Sequence, residues 1–170
     1  MLSVTGSSHI SSKRITAMKE RAVEANLEVD ILVNSALWRG QEDLLSNALA
    51  AAAQKLGKSG SVSLLLGDDA SIADLNRQFR NKAGPTNVLS FPPAPGAEPG
   101  FLGDIALAAE TIVEQAQFQG KRFEHHAAHL VVHGFLHLIG YDHENPADAE
   151  VMEAREREIL ISLGIEDPYA

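Results

Sequence analysis

A chain of 170 residues, 45% hydrophobic and 22% charged, has the length of one domain and enough apolar material to bury a core without staples. It contains no cysteine, which excludes a disulfide framework and a thiolate metal site, so any metal must be held by His, Asp or Glu. No apolar run approaches the ~20 residues of a membrane span, and the net charge of −9 disfavours a uniformly nucleic-acid-coating surface.

The first 19 residues, MLSVTGSSHISSKRITAMK, hold no acid and lack the apolar centre of a secretory signal. Residues 1–26 are expected to be a disordered extension, or partly sequence upstream of a start at Met18; an organelle transit peptide is the weaker alternative. LEVDILVN (27–34) alternates and then runs apolar, as a strand does. EDLLSNALAAAAQKLG (42–57) has helical spacing and closes on Gly57. SVSLLL (61–66) predicts a second strand, and SIADLNRQFR (71–80) a helix capped by Asp69 or Ser71. Within 81–100 only NVLSF (87–91) reads as a strand; the proline-rich remainder is a surface loop. LGDIALA (102–108) is the fourth strand, followed by helices over 109–120, 122–139 and 146–164. No repeat or linker divides these elements. The expectation is a single α+β domain over 27–165, a small mixed sheet of about four strands flanked by about five helices.

Five of the seven histidines fall in HAAHLVVHGFLHLIGYDHEN (126–145). His133 and His137 are four apart, on one helix face and roughly 5–6 Å from each other, a spacing that lets two imidazoles reach one ion. His129 lies eight residues from His137, about 12 Å along the axis, too far to share that ion. It is expected to support the site or face RNA. Gly140 can turn the chain in a left-handed cap and bring His143 back, giving three histidine ligands and an open fourth position, the mark of a catalytic site. His125 and His126, near the helix start, are expected to be solvated. Metalloproteases of the H-E-x-x-H type need a Glu after the first ligand; here Gly134 follows His133. Asp142 and Glu144 flank His143 as candidates for a base, or Asp142 for orienting a ligand.

The charge is uneven. From Tyr141 onward nine acids stand against two arginines, whereas Leu75 to Ala97 holds no acid and carries Arg77, Arg80 and Lys82. At physiological salt fields decay over ~8 Å, so a local basic patch can hold phosphate on an acidic protein.

HLVVHGFLHLIGYDH (129–143) resembles the signature of the YbeY endoribonucleases, rRNA maturation factors of bacteria and organelles. LNRQFRNKAGPTNVLSFP (75–92) is similar to the second shared motif of that family, and LGDIAL (102–107) to its strand beside the site. The likeness spans about 27 to 163. It departs at Ala83, where the family often has an acid, and has no counterpart for the first 26 residues. The resemblance implies one zinc ion per chain on His133, His137 and His143, and cleavage of single-stranded RNA. It also implies a role in 3′-end maturation of small-subunit rRNA and in ribosome quality control, with ribosomal or small-subunit proteins as partners. Arg80 matches the functional arginine of the family and is the expected catalytic residue, sharing the charge that develops on phosphorus.

Phe79, Phe91 and Phe101 are the aromatic candidates for stacking on bases, although core packing explains each as well, so little sequence preference is expected. A cytoplasmic location without membrane attachment fits imidazole ligands and the lack of cysteine. Two other readings compete: a ribosome-associated binding factor with a structural metal, closed by a protein ligand such as Asp142, and a metallopeptidase.

Overall fold

The structure is a computed structural model that describes residues 26–84 and 86–170. The expected N-terminal extension lies, up to residue 25, outside the described residues. Four strands, β1 (Leu27–Val33), β2 (Gly60–Gly67), β3 (Val88–Phe91) and β4 (Phe101–Ala108), form one sheet in the order β1-β2-β4-β3. β1, β2 and β4 run parallel, and β3 lies antiparallel against the outer side of β4. The α-helices are α1 (Glu42–Lys55), α2 (Asp69–Arg80), α3 (Ala109–Gln119), α4 (Phe123–Leu138) and α5 (Pro146–Ser162). The α+β mixed sheet expected from the sequence is therefore present, with one addition, a 3-10 turn at Ala36–Trp38 that buries Trp38 and lets its indole donate to the Gly67 carbonyl at 2.8 Å.

Alternation along the strands divides the sheet into two faces. Val62, Leu64 and Leu66 of β2 and Ile105 and Leu107 of β4 point into the main core, where α1, α4 and α5 pack. Leu65, Ala106 and Ala108 point the other way, where α2 seals a smaller cluster with Ile72 and Leu75. α4 is the central helix, buried along most of its length and packed on β3, β4, α1, α3 and α5. Contact with neighbours on most sides explains why it reads as apolar nearly all round.

The N-cap of α2 is Asp68, whose carboxylate accepts from the Ser71 amide at 2.8 Å, rather than the expected Asp69 or Ser71. Asp69 is used elsewhere: its carboxylate accepts from the Thr111 amide and hydroxyl at 3.0 and 2.9 Å, tying α2 to the start of α3.

Two glycines set how closely the central helix approaches the sheet. Gly134 faces Ser90, Ile105 and Val88, where a Cβ would come within 3.0–3.2 Å of side-chain atoms, and its carbonyl accepts from the Ser90 hydroxyl at 2.8 Å. Gly103 follows a β-bulge, because Ser61 pairs with Phe101 but Val62 with Gly103. Its φ is +136°, and a Cβ there would lie 2.4 Å from the Phe91 carbonyl and 2.7 Å from Leu138 at the end of α4. Backbone strain and overpacking act together at this position. Gly103→Ala is expected to cost about 2–4 kcal/mol in chemical denaturation. A loss below about 0.5 kcal/mol would show that the bulge and the helix end yield freely.

Candidate metal centre

His133 and His137 occupy successive turns at the C-terminal end of α4, both half-buried. The helix then ends in a cap, with the Gly140 amide donating to the His137 carbonyl at 3.2 Å and the Tyr141 amide to that of Leu136 at 3.0 Å. Gly140 takes a φ of +103°, a conformation that residues with a side chain rarely adopt. The loop it starts returns His143 to the other two histidines before Asn145 caps α5 by accepting from the Asp148 amide. Ring centroids are 4.7 Å apart for His133 and His137, 5.3 Å for His133 and His143, and 5.0 Å for His137 and His143. One ring nitrogen from each lies within 4.8 Å of the others.

These residues fit a metal. The Nε2 atoms of His133 and His137 face each other at 3.1 Å, and the donor set is all imidazole, suited to borderline divalent ions. His137 is held below its ordinary pKa, first by burial and then by repulsion from His133 and His143. That favours the neutral ring, the form that can ligate. Among the described residues no carboxylate joins the group. Asp142 instead accepts from the His143 amide at 2.7 Å, shaping the turn, and Glu144 is exposed.

Behind the histidines lies a residue that the sequence reading passed over. Glu156 of α5 is wholly buried. Its Oε1 is 2.5 Å from His133 Nδ1, its Oε2 is 2.9 Å from His129 Nε2, and the Tyr169 hydroxyl donates to Oε2. Burial by itself would raise this carboxyl, but hydrogen bonds from His129, His133 and Tyr169 prevail and hold it at about 2, so it is ionised at neutral pH. A sequence signal existed. Met152, Glu156, Ile159 and Leu160 fall at helical spacing and are the buried positions of α5, so Glu156 occupies the apolar stripe. His129 supports the cluster through this carboxylate and is not part of the converging group, as its spacing required.

The expectation for His126 is corrected. It is 5% exposed, with Nε2 2.9 Å from Gln115 Oε1, because its side of α4 is covered by α3. His125 is half-buried rather than free in solvent. Burial, then repulsion from His129 and Lys121, lowers His126 from 6.5 to about 4. A depressed folded pKa gives stability that is complete above the unfolded value and drains away as pH falls from 6.5 toward 4, since only the unfolded chain takes up the proton. Metal-free protein should therefore lose about 2 kcal/mol through this group between pH 7 and pH 5. His126→Gln should show a correspondingly shallower pH dependence in urea denaturation. Parallel profiles for the two proteins would assign the acid sensitivity elsewhere.

Arg80 stands at the last position of α2, exposed together with Arg77 and Lys82. Its guanidinium donates to the Ser90 carbonyl at 3.0 Å and lies 5.7 Å from the centre of the Phe91 ring, while the Ser90 hydroxyl bonds the backbone of Gly134 beside His133. Phe79, for which core packing was an open alternative, is 63% exposed and leans on Phe91 at 5.4 Å. Phe91 and Phe101 are half-buried. On the second face of the sheet, away from the histidines, Asp30, Ser63, Asp104, Leu65, Phe79 and Phe91 line a cleft of ≈ 740 Å³. Burial raises the Asp104 carboxyl there. No helix among the described residues is long and apolar enough to cross a membrane.

The family model described as endoribonuclease YbeY matches residues 33–164. A protein named endoribonuclease YbeY from Methylocella silvestris is 50% identical over 149 residues, covering 83% of this chain and 85% of that relative. One of the same name from Azorhizobium caulinodans is 48% identical over 154 residues, covering 85% and 97% respectively. The solution structure of a Thermotoga maritima protein aligns with a TM-score of 0.49 at 27% identity, over 82% of this chain and 97% of that one.

Proposed function

The chain belongs to the YbeY endoribonuclease family, and from that premise we propose that residues 27–165 work as one zinc-dependent domain cleaving single-stranded RNA. Its task is the maturation of the 3′ end of small-subunit rRNA, together with ribosome quality control. The observation that carries this reading is the convergence of three imidazole nitrogens within 4.8 Å at the end of a buried helix. His133, His137 and His143 would hold one zinc ion per chain. Bound zinc supplies Lewis acidity at a phosphate oxygen and draws the pKa of water toward ~7.

The remaining work falls to side chains of this protein. Among the described residues the planar guanidinium of Arg80 makes one hydrogen bond, to the Ser90 carbonyl, so its other donors can grip a phosphate and share charge developing on phosphorus. Arg77 and Lys82, exposed on the same segment, guide the strand electrostatically. The exposed Phe79 ring offers a face for a base, and stacking of that kind tolerates any sequence. Choice of site then comes from ribosomal or small-subunit proteins, in a cytoplasmic setting.

The test uses a labelled single-stranded fragment of the rRNA 3′ end and the same fragment annealed into a duplex. Zinc-loaded protein should cut the first and spare the second, lose activity on chelation and regain it with zinc. Cleavage indifferent to chelation would contradict the metal mechanism. Hydrolysis of a peptide library in its place would make the protein a metallopeptidase. Binding to ribosomal subunits without any cleavage would make the metal structural.

A further inference from the structure

Glu156, wholly buried, and Tyr169, 41% exposed, back the histidine cluster, and we propose that this pair positions His133 by fixing its tautomer, making the segment after α5 part of the metal centre. The proposal rests on the three-histidine reading and goes beyond its ligands. The carboxylate of Glu156 is acceptor only, so the His133 nitrogen 2.5 Å from it, Nδ1, carries the proton. The lone pair of His133 is thereby placed on Nε2, the atom 3.1 Å from His137 Nε2. A carboxylate behind a ligating imidazole also raises its basicity.

One buried carboxylate must have its remaining acceptor capacity met, and here it is. His129 Nε2 lies 2.9 Å from Oε2 of Glu156, and the Tyr169 hydroxyl donates to the same oxygen. His129, which cannot reach the cluster, thus gains a role as a donor that keeps Glu156 in register.

The placement of Tyr169 is built, not incidental. Its amide donates to the Asp167 carboxylate at 2.8 Å, and the guanidinium of Arg157, 3.3 Å from that carboxylate, lies 5.2 Å from the tyrosine ring centre. Lys121 donates to the Pro168 carbonyl at 2.8 Å. Tyr169 is therefore held from α5 and from the turn that precedes α4 at once, and it lies beyond residues 33–164 matched by the family model.

The test compares wild type, Glu156→Gln and Tyr169→Phe by two readouts that require no turnover. In metal-free protein, long-range 1H–15N NMR reports which ring nitrogen of His133 bears the proton. Wild type should show Nδ1–H, and Glu156→Gln a substantial Nε2–H population. Zinc affinity, read by competition with a chromophoric chelator, should fall about 10–100-fold in Glu156→Gln and about 3–10-fold in Tyr169→Phe, which keeps the carboxylate and loses the hydroxyl's bonds to Glu156 and to His129 Nε2 at 3.2 Å. If Glu156→Gln fails to fold, Tyr169→Phe decides by the same two readouts. Unchanged affinity together with an unchanged His133 tautomer in the folded variants would overturn the proposal. Absence of zinc binding by wild type would instead remove the metal reading, while the tautomer measurement would still judge the positioning claim.

Discussion

His137→Ala is expected to abolish zinc binding and RNA cleavage together while leaving the fold intact. His133 and His137 come from consecutive turns of one rigid helix, and His143 from a loop that Gly140 turns back. Removing His137 leaves one helical ligand and one loop ligand. Two nitrogens do not hold an ion against solvent as three do, so zinc affinity should fall by more than about 10³-fold, and cleavage with it. The side chain is half-buried and lies at the rim of the core, so the helix loses little packing. Burial first, and then repulsion from His133 and His143, holds its pKa down and favours the neutral ring, so among the described residues its removal breaks no ion pair. His125→Ala, which alters a histidine outside the converging group, should keep both properties. Loss of cleavage with zinc binding intact would separate the metal from the reaction.

Arg80→Ala should lower cleavage about 10²–10³-fold with zinc stoichiometry unchanged. The exposed guanidinium sits above the free edge of β3 with one bond to the Ser90 carbonyl. That bond alone could make Arg80 a strap holding α2 to β3, and Arg80→Lys separates the two roles. An ammonium can keep a single bond to a carbonyl but cannot grip a phosphate with two parallel ones. Single-turnover kinetics should therefore show Arg80→Lys nearly as slow as Arg80→Ala, with denaturation midpoints close to wild type. Recovery of rate by lysine, or loss of stability matching the loss of rate, would make the arginine structural.

The parts legible in the sequence are those governed by short-range geometry. The four-residue spacing of His133 and His137 and the glycine at position 140 specify a local arrangement, and the structure brings His143 into it. The strands expected at 61–66 and 102–108 are present as β2 and β4, and the sheet sends their side chains into two separate clusters. What escaped depends on contacts between distant segments. Glu156 is 23 residues from His133 and sits among other acids of α5, so only its register in the Met152–Ile159 stripe distinguishes it. His126 was misread because α4 is apolar nearly all round, and a histidine near its start has no periodic signal to say that α3 covers it. Asp69 and Asp68 are adjacent, and the choice of cap was decided by Thr111, 42 residues away.

The most direct measurement titrates metal-free protein with zinc while following cleavage of the single-stranded rRNA 3′-end fragment. Activity should rise from zero and level off at one zinc per chain. Full cleavage before any zinc is added, or no cleavage after one equivalent has bound, would contradict the assignment of the three histidines as the centre of a ribonuclease.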